Sequence, residues 1–340
     1  MYIVATISKN SYQADKIREI LNAGATVLRY NFSHGTPEQM LEHISAARDV
    51  IADLKLEGKI SIMADLPGMK IRLGKFSENR YISSNEIILF RAAKESPNYQ
   101  EWIPIDYPTP GDMVKVGDII THADGETALE VTKVIDSEQF EAKALNDRFL
   151  APLKGINFRR KIDELEHFTA QTLEHIATLE DIKPEWVAFS FVNSKENLQR
   201  GIDLLKENLS YMPQIVTKIE TPNGIANIEE IAELADVLLI ARGDLGLYTP
   251  IEELYLNQTK IINAAKKYKK QAIVSTQILD SILEYYVPSR ADVIDLSNAF
   301  MQGADGVMLT KETGISLTPG RSVEFALKVI ERLQASGLNK

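Results

Sequence analysis

Gln214-Ile-Val-Thr-Lys-Ile-Glu220, followed after one helix-length segment by Asp236-Val-Leu-Leu-Ile-Ala-Arg-Gly-Asp-Leu-Gly246, decides the reading of this chain. Each stretch opens on a continuous run of aliphatic and β-branched residues, the pattern of a strand buried on both faces in a parallel sheet. Each then ends on charge: Lys218 and Glu220 close the first, Arg242 and Asp244 the second. In a parallel α/β fold these residues stand at the carboxyl ends of neighbouring strands. Glu220 and Asp244 suit a hard divalent cation, with the Lys218 ammonium as a point charge beside it. A salt bridge on a barrel rim uses the same residue types, and the two stretches alone leave both readings open.

Outward from this pair the unit repeats. Strand-like apolar runs fall at residues 2–8, 25–32, 60–66, 186–192, 214–220, 236–241, 271–276 and 306–310. Amphipathic segments separate them: Ala14–Gly24, Pro37–Leu54, Ile162–Leu179, Ser194–Leu209, Ile225–Leu234, Ile251–Lys267, Arg290–Gln302 and Ser322–Ala335. Eight strands, most of them followed by a helix, predict an α/β fold of the (β/α)8 type, a TIM barrel rather than an open sheet. Gly24 and Gly303 stand where helix C-caps belong, and Pro37 suits a first helical turn.

Residues 68 to 157 break this rhythm. Short alternating runs (Glu86–Phe90, Asp118–Thr121, Leu129–Thr132, Phe140–Lys143) are separated by turn signals such as Pro108-Thr-Pro-Gly-Asp112, Asp124-Gly125 and Asn146-Asp147. The expectation is a barrel built from residues 1–67 and 156–340, interrupted after its third strand by an all-β domain at 68–155. Active sites of such barrels lie at the carboxyl ends of the strands, so the insertion is expected to act as a lid.

Composition narrows the function. The 340 residues are 44% hydrophobic and 25% charged, ordinary for a soluble globular protein, with chain enough for a large core. A net charge of -10 argues against nucleic acid or an anionic membrane as the main partner. The chain has no cysteine, which excludes disulfides, a thiolate nucleophile and Cys-ligated zinc, and fits a reducing, cytoplasmic setting. Met1-Tyr-Ile-Val-Ala-Thr-Ile7 lacks the basic start and small-residue cleavage site of a signal peptide. No apolar run reaches the roughly 20 residues of a membrane span.

The ends of the predicted barrel strands are polar almost without exception: Thr6-Ile-Ser8, Arg29-Tyr-Asn-Phe-Ser-His-Gly35, Asp65-Leu-Pro-Gly68, Lys218 with Glu220, Arg242-Gly-Asp244, Ser275-Thr-Gln277 and Thr310-Lys-Glu-Thr313. An arginine, a lysine, several carboxylates and glycine-backed amides converging on one mouth suit a charged, metal-bound ligand.

These segments closely resemble the pyruvate kinase family. Arg29-Tyr-Asn-Phe-Ser-His-Gly35 is similar to its strand-two motif, and Lys218-Ile-Glu220, Ala241-Arg-Gly-Asp-Leu-Gly246 and Ser275-Thr-Gln-Ile-Leu279 are similar to its signatures after strands five, six and seven. The resemblance runs in order from Thr6 to about Glu331. It implies that Glu220 and Asp244 hold Mg2+ (or Mn2+) against the substrate, and that Lys218 neutralises the transferring phosphoryl group and the developing enolate. By the same resemblance Arg29 forks onto phosphoryl oxygens, and Thr276 sits near the carbon where the enolate is protonated. Ser190 lines the pocket, and the backbone of Ala241, Arg242, Gly243 and Asp244 receives the carboxylate of phosphoenolpyruvate. Thr6, Asn31, His34, Arg72, Asp124 and Lys154 match positions on the nucleotide side. Asn31, Ser33 and Asp65 match the family's monovalent-cation site.

The chain departs from the family pattern in four places. Where the family reads Asp-Thr-Lys-Gly-Pro-Glu-Ile-Arg, this chain reads Asp65-Leu-Pro-Gly-Met-Lys-Ile-Arg72. Lys70 brings its own ammonium to an acidic position, so the resemblance implies activity without K+. After strand one, Thr6-Ile-Ser-Lys-Asn-Ser11 replaces the family's Thr-Ile-Gly-Pro-Ala-Ser, and Lys9 takes the place of a proline that packs on adenine. At the return from the insertion, Lys154-Gly-Ile-Asn-Phe-Arg-Arg160 replaces Lys-Gly-Val-Asn-Leu-Pro-Gly; Lys9, Arg159 and Arg160 read either as cations for a different acceptor or as solvated rim charges. The sequence ends after the helix that follows the eighth strand, so by the resemblance the family's C-terminal regulatory domain, and with it the sugar-phosphate effector site, is expected to be absent.

Phosphoryl transfer from phosphoenolpyruvate to a nucleoside diphosphate, ADP first among them, is therefore the leading expectation, with a homodimer through barrel helices. An enolate enzyme with another acceptor in specialised metabolism, or one catalysing aldol cleavage or oxaloacetate decarboxylation, is the second. A non-enzymatic sensor ranks last, since binding alone does not call for Lys218, Thr276 and both metal carboxylates together.

Overall fold

The computed structural model describes residues 1–159, 165 and 167–338. The chain divides into two compact units, Met1–Gly68 with Glu166–Leu245 and Glu252–Lys340, and Met69–Leu165 with Gly246–Ile251.

The first unit opens with β1 (Tyr2–Ile7), α1 (Ala14–Asn22), β2 (Val27–Asn31), α2 (Pro37–Asp53) and β3 (Ser61–Leu66). The second carries β4 (Arg80–Ile82), β5 (Ile87–Ala92), β6 (Trp102–Ile105), β7 (Ile119–His122), β8 (Thr127–Val134), β9 (Gln139–Ala144), β10 (Arg148–Leu150) and β11 (Ile156–Asn157). The first resumes with α3 (Ala170–Ile182), β12 (Trp186–Phe189), α4 (Lys195–Asn208), β13 (Gln214–Ile219), α5 (Pro222–Ala226), α6 (Ile228–Leu234) and β14 (Val237–Ala241). Then come α7 (Arg242–Tyr248), α8 (Leu254–Lys267), β15 (Gln271–Ser275), α9 (Arg290–Gln302), β16 (Gly306–Leu309), α10 (Lys311–Gly314) and α11 (Pro319–Ser336).

The first unit is a closed parallel barrel in which β1, β2, β3, β12, β13, β14, β15 and β16 follow one another around the ring and β16 returns to β1. The expected (β/α)8 barrel is what the chain forms. Its strands serve two cores because successive side chains point to opposite faces. Val4, Val27, Met63, Trp186, Val216, Val237, Ile273 and Met308, one from each strand, pack together and fill the interior. Their neighbours in sequence, among them Ile3, Leu28, Ile62, Val187, Ile215, Leu238, Val274 and Val307, join the second cluster with the helices.

Local chemistry sets the helix ends. At the start of α2 the Thr36 hydroxyl accepts from the Gln39 amide while the Gln39 side chain accepts from the Thr36 amide, a reciprocal cap with Pro37 in the first turn. Gly303 closes α9 at φ +101°, a conformation that favours glycine. Some boundaries differ from the sequence expectation. The helix expected over Ile162–Leu179 begins at Ala170, where the Thr169 hydroxyl caps the Thr172 amide; residues 162–164 and 166 lie outside the described ones. The single helix expected over Ile225–Leu234 is two, α5 and α6, joined at Asn227. The strand expected to reach Val192 stops at Phe189, and Phe191 takes a left-handed φ of +57°.

The second unit is built mainly of β-strands, as expected of the insertion, with a six-stranded sheet in the order β11-β7-β8-β9-β5-β6, a β10-β4 pair and a short 3-10 turn at Pro110–Met113. Its core is Ile88, Phe90, Ile103, Ile120, Leu129, Val131, Phe140, Ala142 and Phe158, with Phe140 stacked on Phe90 and edge-on to Phe158. Arg159 donates to the Leu247 carbonyl and Tyr248 to the Asn157 amide oxygen, which ties Gly246–Ile251 to this unit.

His122, 1% exposed, sits at the end of β7. Its Nδ1–H donates to the Gly155 carbonyl at 3.0 Å and its Nε2 accepts from the Ala151 amide at 2.9 Å, so both nitrogens are used only in the neutral ring. Burial pushes the imidazole down to about 4, and the Lys154 charge adds to the shift. Below the ordinary value of 6.5 the unfolded chain takes up a proton that the folded unit refuses, so stability falls as pH drops from 6.5 towards 4. We expect a loss of roughly 3 kcal/mol across that window, read by urea unfolding with Trp102 fluorescence in a Trp186→Phe background. A His122→Gln variant should lack this slope; an equal slope in that variant would place its origin elsewhere.

Candidate active site

The period-two rule that fills the barrel interior also builds its mouth. One step further towards the carboxyl end along the same face from Val4 is Thr6; from Val27, Arg29; from Met63, Asp65; from Ala188, Ser190; from Val216, Lys218. The polar residues at the carboxyl ends are thus the last layer of inward-pointing positions, above a dry apolar plug.

Asp65 organises this layer. Its carboxylate is 2% exposed, and Oδ2 lies 2.7 Å from both Nε and Nη2 of Arg29. Its Oδ1 lies 3.2 Å from Lys218 Nζ. Arg29 Nη1 also donates to the Thr6 hydroxyl at 3.0 Å. Lys218 Nζ donates to the Ser190 hydroxyl at 2.8 Å and stands 3.3 Å from Glu220 Oε1. The Ser190 hydroxyl in turn donates a hydrogen bond to the Leu66 carbonyl, and the Phe191 amide donates to Glu220 Oε2 at 2.7 Å. The left-handed turn at Phe191 aims that amide.

The charges respond to one another. Burial would raise the Asp65 pKa, but the Lys218 ammonium and the Arg29 guanidinium outweigh it and hold the carboxyl below the usual range. Burial would lower Lys218, yet Asp65 and Glu220 outweigh it and keep the ammonium charged above its ordinary value. Lys218 is thereby a fixed cation and not a base. Glu220 goes the other way: burial raises it, Lys218 offsets part of the rise, and the negative charge of Asp244 adds to it.

Three carboxylates, Asp65, Glu220 and Asp244, thus share this mouth with two cations, Arg29 and Lys218. The excess negative charge falls on Glu220 and Asp244, an all-oxygen donor pair, and an anionic substrate would add to it. A hard divalent cation such as Mg2+ or Mn2+ fits that imbalance. Among the described residues no group of three or more acidic or histidine side chains forms a complete cage, so the remaining coordination positions would belong to substrate and water.

Thr276 follows β15 with φ +72° and Gln277 with φ +53°. A left-handed β-branched residue costs on the order of 1–3 kcal/mol and persists only where its surroundings impose it. Gly243 makes the room: a Cβ there would meet Thr276 Cγ2 at 3.1 Å and Oγ1 at 3.4 Å. Thr276 therefore lies against the backbone at the start of α7.

Of the residues singled out in the sequence, Thr6, Arg29, Asp65, Ser190, Lys218 and Glu220 form one bonded network in the first unit. Asn31 and Ser33 stand beside it in a tight turn, the Asn31 side chain accepting from the Ser33 amide, with the His34 amide on the Asn31 carbonyl. Lys70, Arg72, Asp124 and Lys154 belong to the second unit. There the Lys70 stem lies over Gly155, where a Cβ would meet its Cε at 2.8 Å. Arg72 bridges to Gly155. Arg160 lies outside the described residues. Sequence reasoning gave Asp65 only a cation-holding part; its central place between Arg29 and Lys218 could have been read from the alternation after Met63. It placed the Arg242 side chain and Glu312 only among the polar strand-end residues of the mouth and gave neither a backbone-holding part. Arg242 donates to backbone carbonyls of Ser275, Thr276 and Gln277, and Glu312, wholly buried, accepts from the Ile278, Leu279 and Thr310 amides. No local sequence signal marks either.

Comparison with known proteins gives one family. A family model described as the barrel domain of pyruvate kinase matches residues 1–323. A pyruvate kinase from Thermococcus litoralis is 34% identical over 327 residues, covering 96% of this chain and 68% of that protein. One from Thermotoga maritima is 31% identical over 335 residues, covering 98% of this chain and 70% of its own length. Among solved structures, a pyruvate kinase from Cryptosporidium parvum superposes with a TM-score of 0.88 at 25% identity, over 98% of this chain and 69% of that one.

Proposed function

The chain belongs to the pyruvate kinase family, and from that premise we propose that it transfers the phosphoryl group of phosphoenolpyruvate to a nucleoside diphosphate, ADP first among them. The observation that carries this reading is the buried network in which Asp65 sets Arg29 and Lys218 side by side next to Glu220. Arg29 and Lys218 would face the phosphoryl oxygens. As the bond between phosphorus and the enol oxygen breaks, the Lys218 ammonium would face the negative charge left on that oxygen, a cation already oriented by Asp65, Glu220 and Ser190. The enolate would take a proton at its methylene carbon, by way of water at Thr276, to give pyruvate, while the phosphoryl group joins the terminal phosphate oxygen of the diphosphate. The backbone of Ala241–Asp244 would hold the substrate carboxylate. Glu220 and Asp244 would hold Mg2+ (or Mn2+), which when bound would supply Lewis-acid charge neutralisation. Thr6, Asn31 and His34 are the nucleotide contacts proposed in the first unit, and Arg72, Asp124 and Lys154 are the positions of the second unit that match the family's nucleotide side.

We further propose that turnover needs no K+. Asp65, one of the three residues matching the family's monovalent-cation site, already has each carboxylate oxygen on an internal cation, and Lys70 stands where the family has an acid. A coupled assay of pyruvate formation with Mg2+ or Mn2+ and a panel of diphosphates tests both statements. Replacement of K+ by tetramethylammonium should leave the rate nearly unchanged; a strong fall would defeat the K+ statement, and absence of turnover with every diphosphate would defeat the kinase reading.

A second reading retains the enolate chemistry with another acceptor. Lys9 favours it, standing exposed in the turn after β1 where the family places a proline against adenine. Exchange of pyruvate methyl protons in deuterated water, with no transfer to any diphosphate, would favour this reading over the first.

The described residues contain no helix long and apolar enough to cross a membrane.

A further inference from the structure

The turn after β15, Ser275 to Leu279, is gripped from two sides. On its carbonyl side the Arg242 guanidinium reaches three consecutive residues. Nε lies 3.1 Å from the Ser275 oxygen and 3.2 Å from that of Thr276, and Nη2 lies 2.7 Å from Thr276 and 3.1 Å from Gln277. Asp295 on α9 fixes the guanidinium from behind, with Oδ1 2.9 Å from Nη1 and Oδ2 2.8 Å from Nη2. On the amide side Glu312 Oε1 accepts from Ile278 at 2.9 Å and Leu279 at 3.3 Å, and its Oε2 accepts from the amide of Thr310 at 2.7 Å. Neither side chain points at Arg29, Lys218 or Glu220 through any bond described above.

The grip is aimed at one residue. Thr276 and Gln277 are both left-handed, so their carbonyls turn to the same side, a conformation that relaxes unless something fixes it. A planar guanidinium, with several N–H groups in a rigid fork, can hold three neighbouring carbonyls at once; an ammonium cannot match that geometry. Arg242 also precedes Gly243, whose missing Cβ is the space that Thr276 enters.

We propose that Arg242 and Glu312 are positioning residues which hold the Ser275–Leu279 turn by its carbonyls and its amides and so set the Thr276 hydroxyl at the enolate carbon. The inference rests on the reading of the site as one of phosphoenolpyruvate chemistry and assigns to the Arg242 side chain a task distinct from substrate contact.

The test compares the parent with Arg242→Lys, Glu312→Gln and Asp295→Asn, each with and without Thr276→Ala. Readouts are kcat and KM for phosphoenolpyruvate, and exchange of pyruvate methyl protons. Displacing a reacting group by about 1 Å costs on the order of 10²-fold, so Arg242→Lys should lower kcat by about that factor with KM little changed. Proton exchange should fall in parallel. In a Thr276→Ala background the same substitution should cost little more, since both changes remove one function. A folded Arg242→Lys with the parent's kcat, losses that multiply with Thr276→Ala, or a raised KM at unchanged kcat would each overturn the proposal. Should Arg242→Lys fail to fold, Asp295→Asn decides: it leaves the fork in place but frees its far side, and a smaller kcat loss that vanishes in the Thr276→Ala background supports the proposal. A loss that persists there overturns it. A parent protein inactive in both transfer and exchange defeats the underlying reading, whereas an active parent with indifferent variants defeats the positioning role alone.

Discussion

Lys218→Met is expected to lower kcat for phosphoryl transfer by about 10³-fold, the scale on which an enzyme loses one preorganised electrostatic contact to a developing oxyanion. Methionine keeps the unbranched stem and removes only the ammonium. That ammonium is poised for its task before substrate arrives: Ser190, Asp65 and Glu220 hold it within 3.3 Å, and the two carboxylates keep it charged. Its loss should fall on kcat more than on phosphoenolpyruvate binding, which Arg29 and the Ala241–Asp244 backbone would retain. Steady-state kinetics with a calorimetric titration of phosphoenolpyruvate separate the two. Lys218→Arg should not restore the rate, because a planar fork cannot occupy the place of a compact ammonium between two carboxylates. A kcat within tenfold of the parent for Lys218→Met would remove Lys218 from the reaction.

Asp65→Asn should strike stability as hard as activity. The substitution leaves Arg29 and Lys218, each nearly enclosed, without their shared counterion, and breaking a buried pair by removing one partner costs about 3–5 kcal/mol. Because Lys218 and Arg29 outweigh burial and depress the folded pKa of Asp65 below its ordinary 3.8, its contribution is present above that value and is lost as pH falls through the depressed one. The parent barrel should therefore lose stability in strong acid, and the difference between parent and variant should narrow there. Thermal melts of both proteins near neutrality and in strong acid give the comparison. A variant as stable as the parent near neutrality would mean that the three charges are solvated rather than interlocked.

The barrel was legible because its strands are buried on both faces and read as unbroken apolar runs, and because helix-period segments lie between them. Runs such as Val237–Ala241 carry their own ends, since charge returns at once with Arg242 and Asp244. Boundaries failed where a side chain far away in sequence sets the backbone. Nothing local to Ser190-Phe-Val192 shows that Glu220 captures the Phe191 amide and bends the strand. Asn227, which separates α5 from α6, lies in a stretch whose apolar spacing is continuous. The site residues that face the mouth, Arg29, Asp65, Lys218 and Glu220, could be gathered from strand ends alone. The parts played by Arg242 and Glu312 could not, because their partners are backbone atoms, and a backbone carbonyl or amide leaves no residue type to recognise.

The alternation that stacks Val216 beneath Lys218 also limits how this protein can diversify. Deleting one residue from β13 would swing Thr217 and Ile219 into the chamber and send the charged pair towards the helices. New acceptors or ions can therefore be explored by exchanging side chains at the rim or by lengthening the connecting turns, while an insertion within a stave would turn the charged set away from the chamber and the apolar set out of its core together.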